Sequence, residues 1–389
     1  MACRQGRWQA VFVETQLRTT ALQSVKAGIV ARDGSSPVFI TLLLIIFGVL
    51  LLQAFLQLLC VRLDARRFPP PGRIIKTSRG SMHVRQMGSG APPIVLEAGI
   101  AASSLNWSIL QPRLARMAST FSYDRAGFGW SKSSRRECTL QQMSCDLHQL
   151  VAALNLPRPY VLVGHSYAAY ILRVYAQRFP EELAGIILVD PLTPEEWIKP
   201  RRFQRWQLRR GVWFSRAGAA LGSIGVNRFC LWLLQRGNSA VPSRVLSLFG
   251  ARASETGHRI LGELAKLPPE IVRLIRERWS HAEFFLTMAR YIRTLPATAA
   301  EAAPSQIPAR IPVTVISGAH QPPVRMAEHQ AIAAHSLQGR HLVAANSAHW
   351  IHLDQPELIV EAFCEMAEKP EGEKSEGEKS EAGKRCGLQ

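Results

Sequence analysis

The sequence predicts an α/β protein: a mostly parallel twisted sheet covered by helices on both faces, with a helical cap and an N-terminal transmembrane helix. Three observations carry that expectation. Apolar strand-like runs alternate with segments of helical period; one such run ends in a serine set among small residues; and the stretch from Val38 to Cys60 contains no charge.

The alternation begins with Met82 to Gln86, read as an early strand, followed by a short buried strand at Ile94 to Leu96 and another at Phe121 to Tyr123. Met143, Leu147, Leu150, Val151 and Leu154 then recur at helical spacing. Thr139 and Gln142 form a capping box in front of them. Further apolar runs lie at Val161 to Val163, Gly185 to Val189 and Val313 to Ser317. Strand followed by helix in repeated order implies a parallel sheet with both faces covered. Sites in such sheets lie at the carboxyl edge of the strands.

The run Val161-Leu162-Val163-Gly164-His165-Ser166-Tyr167-Ala168-Ala169 has the layout of a nucleophile elbow, in which a sharp strand-to-helix turn holds a serine hydroxyl out of the sheet. Residues packed against so tight a turn must be small, and Gly164, Ala168 and Ala169 are. A serine nucleophile needs a base. Far downstream, Arg340 to Trp350 reads as a strand, a short polar loop and a histidine, so His349 is the candidate. Asp354-Gln355-Pro356-Glu357 reads as the capped start of a helix that fixes this loop from behind, with Asp354 as N-cap. His352 and His165 read as packing or hydrogen-bonding residues. Asp124 and Arg125 read as a buried pair or turn cap.

The segments Glu97-Ala98-Gly99-Ile100, Tyr123-Asp124-Arg125-Ala126-Gly127-Phe128-Gly129-Trp130-Ser131, Gly164-His165-Ser166-Tyr167-Ala168 and Ser347-Ala348-His349-Trp350-Ile351 together resemble the α/β-hydrolase superfamily, in the serine-nucleophile branch with a helical cap. The resemblance spans about residues 75 to 367. It implies an oxyanion hole built from backbone N–H groups, here those of Ile100 and Tyr167, although Ala98 stands where a histidine often precedes the loop glycine. The third catalytic member has two candidates. Asp190 closes the strand Gly185 to Val189, whereas the loop after Val313 to Ser317 carries no carboxylate before Glu328. Epoxide hydrolases and haloalkane dehalogenases share the framework but need a carboxylate at the elbow, where this chain has Ser166.

With 389 residues and 47% hydrophobic composition, there is ample chain for one large domain with additions. The seven cysteines are scattered and form no Cys-x-x-Cys pair or Cys/His cluster, so neither a metal site nor a disulfide framework is expected. The uncharged stretch Val38 to Cys60 is long enough to cross the roughly 30 Å hydrocarbon core of a bilayer. Arg18, Lys26 and Arg32 precede it, while Arg62, Arg66, Arg67, Arg73, Lys76 and Arg79 follow, a bias that favours a cytoplasmic catalytic domain.

The chain is therefore divided into an N-terminal tail (1–37), a transmembrane helix (38–60), a juxtamembrane linker (61–74) stiffened by Pro69-Pro70-Pro71, a first core part (75–191), a helical cap (192–308), a second core part (309–367) and a low-complexity tail (368–389). The cap holds five of the nine tryptophans, and Arg201 through Ser254 contains ten arginines and no acid, a local source for the net charge of +18. No nucleic-acid recognition motif accompanies this charge, which reads either as a solvated helix face or as a surface resting near anionic lipid headgroups. A helix start is read at Pro268-Pro269-Glu270, with Phe284, Phe285 and Met288 on the apolar side of the run through Ile292.

These readings converge on a single-pass, membrane-anchored serine hydrolase acting on a hydrophobic or amphiphilic carboxylic ester. Ser166 is its nucleophile, His349 its base and Asp190 its orienting acid, with Glu328 or no acid at all as the alternatives, and no dissociable cofactor is implied. The alternative is a catalytically silent, membrane-tethered protein that uses the same pocket to bind a ligand.

Overall fold

The computed structural model describes residues 37–78, 80–132, 138–236, 264 and 266–368. The chain divides into two units, residues 1–56 and 57–389. In the first, residues 37–56 are the opening turns of helix α1 (Pro37–Arg67), and their side chains are exposed almost throughout. This helix is long and apolar enough to cross a membrane. It continues through Arg67 instead of stopping at Cys60, so much of the segment read as linker is helical. Nothing in Val61 to Arg67 breaks a helix; the prolines at 69–71 do.

In the second unit the same segment ends in strand β1 (Arg73–Thr77), too short and mixed in polarity to be read from sequence. It is followed by β2 (Gly80–Met87), β3 (Ile94–Glu97), helix α2 (Leu110–Leu114) and β4 (Thr120–Tyr123). Next come α3 (Leu140–Ala153), β5 (Tyr160–His165), α4 (Ala168–Arg178) and β6 (Leu183–Val189). The eight strands stand in the order β1-β2-β4-β3-β5-β6-β7-β8, where β7 is Val313–Gly318 and β8 is Gly339–Ala344. The β1–β2 and β2–β4 pairs are antiparallel, and every later pair is parallel.

Successive side chains of a strand point to opposite faces, and each face here has its own core. Leu162, Ile186, Leu188 and Val315 pack on one side with Leu147 of α3, Leu172 of α4 and Ala333 of α10 (Pro323–His335). Val161, Val163, Ile187 and Val189 pack on the other with Leu110 of α2 and Phe363 of α12 (Pro356–Ala367). Thr139 caps α3 through Gln142 N–H, but the Gln142 amide reaches Asp146 and leaves the capping box half made.

Between β6 and β7 lies the cap, with α5 (Glu195–Ile198), α6 (Arg202–Ser223), α7 (Val226–Gln235), α8 (Pro269–Trp279) and α9 (Ala282–Ala302) among its described residues. The run from Pro268 to Ile292 is thus two helices. Ser280 N–H closes the first by bonding Arg276 O and Glu277 O, and His281 turns extended. α6 lies close against α9, where Gly218 faces the Phe285 ring. Arg244 and Arg252 of the basic run fall outside the described residues, as do both tails.

Candidate active site

Ser166 stands at the turn between β5 and α4 with φ of 57°, a left-handed conformation that a side-chain-bearing residue holds at a cost of about 1–3 kcal/mol. Its neighbours hold it there: Ser166 N–H donates to Val189 O, and Leu192 N–H donates to Ser166 O. A Cβ on Gly164 would lie 2.6 Å from Leu172 Cδ1 and 3.1 Å from Ala168 Cβ, so the small residues of the elbow are there for want of space. Ser166 is buried, at 9% exposure.

The loop after β3 closes on this turn. A Cβ on Gly99 would stand 3.1 Å from His165 Nδ1 and 3.4 Å from Ser166 Cβ. Two residues on, Ala101 also has φ of 57°. The N–H groups of Ile100 and Tyr167 have no acceptor among the hydrogen bonds of the described residues. Two free amides beside a strained serine form the kind of donor pair that receives a developing oxyanion.

Asp190 follows β6, again with a positive φ, 42°. Its Oδ2 accepts from His349 Nδ1 at 2.5 Å and from Gln321 Nε2 at 2.7 Å, while Oδ1 accepts from Gly318 N–H and Gln321 Nε2. Burial alone would raise the Asp190 carboxyl. The bond from His349, its charge and the Gly318 amide outweigh burial and hold the group below the ordinary carboxylate range. Glu328 is engaged elsewhere. It accepts from Thr193 Oγ1 and lines a cleft with Arg173 and His335 that includes none of Ser166, Asp190 or His349.

With Nδ1–H committed to Asp190, the His349 Nε2 is the nitrogen left for proton transfer. Ser166 Oγ makes no hydrogen bond to it among the described contacts, an open geometry common at unliganded sites. His349 nevertheless stands against the elbow: His165 Nε2–H donates to His349 O at 2.9 Å, and the two rings are 4.5 Å apart. His165 also meets His352, 4.6 Å away. Burial first, then the nearby His349, lowers His165 to about 3, and His352 is lowered well below its ordinary value for the same reasons. Both are neutral packing residues.

Two readings from sequence change. Asp354 is not an N-cap but the last residue of α11 (Ile351–Asp354), because Leu353 and Asp354 N–H groups already return to Trp350 O; Gln355 takes the N-cap position of α12 without a side-chain bond to it, its Oε1 accepting from Asn346 N–H. Asp354 braces the histidine loop by accepting from Ser347 Oγ and pairing with Lys266. Asp124 and Arg125 are both buried; they do not pair with each other, and the turn-cap reading holds for Asp124, which accepts from Trp130 N–H. Asp124 takes His83 Nδ1 and the Ser104 and Trp130 amides. Arg125 bonds Glu97 and the carbonyls of Ala98 and Gly99, tying β3 and its loop together from beneath. No spacing rule marks that arginine as the anchor of the Gly99 loop; the only sequence signal was a buried-looking charge beside a glycine turn. Ala101, Ser103 and Phe128 meet Trp279 and Phe284 of the cap around a small cavity beside the loop, which none of Ser166, Asp190 or His349 lines.

A sequence profile described as the alpha/beta hydrolase fold matches residues 92–356. YqjL, an uncharacterised protein of Bacillus subtilis strain 168, is 38% identical over 104 residues, which are 27% of this chain and 41% of that protein. The matched stretch thus spans about two fifths of that relative. The epoxide hydrolase CorEH superposes with a TM-score of 0.56 at 17% identity, covering 76% of this chain and 97% of that one. An esterase of Thermogutta terrifontis superposes with a TM-score of 0.50 at 19% identity, covering 75% of this chain and 96% of that one. At such identities the superpositions speak for the fold, and with a profile running from before β3 to the start of α12 this chain belongs to the α/β hydrolase family.

Proposed function

We propose that this chain is a membrane-anchored serine hydrolase of carboxylic esters. The observation that carries the reading is the His349–Asp190 pair, joined through Nδ1 and held against His165, the residue next to Ser166 on its strained turn. In the proposed cycle Ser166 Oγ attacks the ester carbonyl as its proton passes to His349 Nε2. The Ile100 and Tyr167 amides take the charge that develops on the carbonyl oxygen. The tetrahedral adduct expels the alcohol, which takes the proton back from His349, and leaves an acyl group on Ser166. Water, deprotonated by His349, then attacks the acyl carbon, and the carboxylic acid departs as Ser166 recovers its proton. Asp190 keeps Nδ1 protonated and stabilises the imidazolium throughout.

Helix α1 is proposed to cross the bilayer over Val38 to Cys60, and the excess of positive residues after it supports a cytoplasmic hydrolase domain. A fluorophosphonate probe, which reacts only with an activated serine, tests the chemistry. Wild type labels, Ser166→Ala does not, and a panel of esters graded in acyl length then defines the substrate. Absence of labelling on a folded wild-type protein would instead favour the ligand-binding alternative.

A further inference from the structure

The second unit includes the last turns of α1, and these turns meet the cap. Gln57 and Asp64 are the buried residues of the helix. Gln57 Nε2 donates to Ser280 O at 3.1 Å, and Arg228 of α7 donates to Gln57 Oε1 at 3.0 Å and pairs with Asp64 at 2.6 Å. Asp64, Glu277 and His281 bring side-chain ligand atoms within 4.8 Å of one another, and the two acids are paired with Arg228 and Arg278. A little further on, Phe68 O accepts from Trp130 Nε1, and Arg273 lies over the Phe68 ring. The immediate sequence neighbours of these contacts, Gly129 and Trp279, line the small cavity beside the oxyanion loop.

The uncharged run ends at Cys60 and arginines resume at Arg62, so a helix that spans the bilayer emerges from it at the level of Gln57 to Asp64. The cap is fastened at that depth. On α7, one residue beyond the fastening Arg228, Phe229 is 54% exposed and Trp232 is 42% exposed, and their rings stack. Arg236 lies over Trp232, 4.2 Å from its ring centre. The neighbouring α6 repeats the arrangement: Phe203, Trp206 and Trp213 are exposed, and Arg210 lies over Trp206. Spacings of three, four and three put Phe203, Trp206, Arg210 and Trp213 on one face. Aromatic rings beside arginines are the composition of the lipid headgroup region, where an amphipathic ring is half wetted and each cation near anionic lipid gains about 1 kcal/mol.

We infer that α7, with α6 beside it, lies in the headgroup layer of an anionic leaflet, and that the Ser166 elbow takes amphiphilic esters directly from that leaflet. The inference rests on the ester-hydrolase reading for its substrate, but not for its membrane contact. Fastening by Gln57 and Asp64 keeps α7, with its exposed aromatics, next to the last turns of α1. Lipid then replaces water over the Phe229 and Trp232 rings, a hydrophobic gain added to the attraction of the arginines.

The test uses the full chain in vesicles of phosphatidylcholine with or without phosphatidylglycerol, and the double variant Phe229→Ser/Trp232→Ser. Leu337→Ser, which alters an equally apolar exposed residue on the far loop before β8, is the control. Three quantities are read: hydrolysis of 4-methylumbelliferyl oleate held in the vesicles, hydrolysis of p-nitrophenyl acetate in water, and quenching of tryptophan fluorescence by lipids brominated high on the acyl chain. The double variant should lose about tenfold or more on the vesicle-borne ester and a share of the quenching, while acetate hydrolysis and fluorophosphonate labelling stay within twofold. The control should change none of them, and phosphatidylglycerol should raise the wild-type vesicle rate. Equal vesicle rates in wild type and double variant, or a parallel fall in both hydrolyses, would overturn leaflet delivery while leaving the hydrolase intact. Quenching unchanged by the double variant overturns the membrane contact whatever the enzyme does. A wild type that cleaves neither ester refutes the hydrolase reading, and the quenching result by itself then decides whether the contact exists.

Discussion

Asp190 and His349 lie 159 residues apart in the chain and meet at 2.5 Å, and what brings them together is the pairing of β6 with β7 and of β7 with β8. Asp190 leaves the end of β6, its amide still bonded to Ile316 O, while the loop after β8 brings the histidine over the end of β7. The carboxylate that meets His349 therefore follows β6, and Gly318 at the end of β7 and Gln321 in the loop after it serve Asp190 as donors. A carboxylate that accepts four hydrogen bonds is held in one orientation, and so is the imidazole it receives.

Asp190→Asn should lower kcat by about 10³–10⁴ with a small change in KM, since an amide at this position favours the wrong imidazole tautomer. Glu328→Gln should leave kcat within about twofold, because Glu328 holds Thr193 and not the base. Steady-state kinetics on a water-soluble ester give both values, and the reverse ranking would move the acid to α10.

Ser166→Ala should abolish fluorophosphonate labelling and reduce ester turnover by at least about 10³, with an unchanged melting curve. His349→Gln should lose a similar factor. The two changes act on one unit, so the double variant should be no slower than the slower single. A double variant a further hundredfold down would show that the two side chains act independently.

Arg125→Met should destabilise the protein by about 3–5 kcal/mol, since it leaves the Glu97 carboxylate buried without its partner. Pairing it with Glu97→Gln should recover part of the stability, which denaturant unfolding measures. It should not recover turnover, because the Ala98 and Gly99 carbonyls lose their donor in either case and the oxyanion loop is released. Recovery of full kcat in the double variant would mean that Arg125 acts only through the charge of Glu97.

The elbow was legible because its chemistry is local: a Cβ at Gly164 would meet Leu172 and Ala168, a steric limit that leaves its mark two positions before Ser166. The alternation of strands was legible for a similar reason, since Val161 to Val163 and Ile186 to Val189 are buried on both faces and read as unbroken apolar runs. What escaped depends on distant partners. Gln57 and Asp64 are two of several polar residues on the helix, with Thr41, Gln53 and the arginines near its end, and nothing in their surroundings in sequence points to Ser280 or Arg228. Arg125 sits beside Asp124 in the chain, so proximity suggested the wrong pairing, whereas the fold turns the two side chains to different buried partners. The break between α8 and α9 was hidden because Ser280 and His281 are tolerated inside helices and only their hydrogen bonding reveals the end.

The histidines at the elbow set the response to acid. His165 is neutral when folded, its pKa lowered to about 3 by burial and by His349, whereas in the unfolded chain it titrates near the ordinary value of 6.5. Between those values the unfolded state binds the extra proton, so stability falls as pH drops below about 6.5 and continues to fall toward 3. His352 is lowered by the same causes and adds to the loss in the same direction. Melting temperatures taken from pH 7.5 to pH 4.5 should therefore decline in wild type and decline less steeply in His165→Asn, which has no proton to gain. The variant should melt lower than wild type at pH 7.5, because the bond to His349 O is lost, and the gap should narrow as the solution is acidified. Parallel curves at every pH would show that His165 titrates alike in both states, and the acid sensitivity would then belong to other groups.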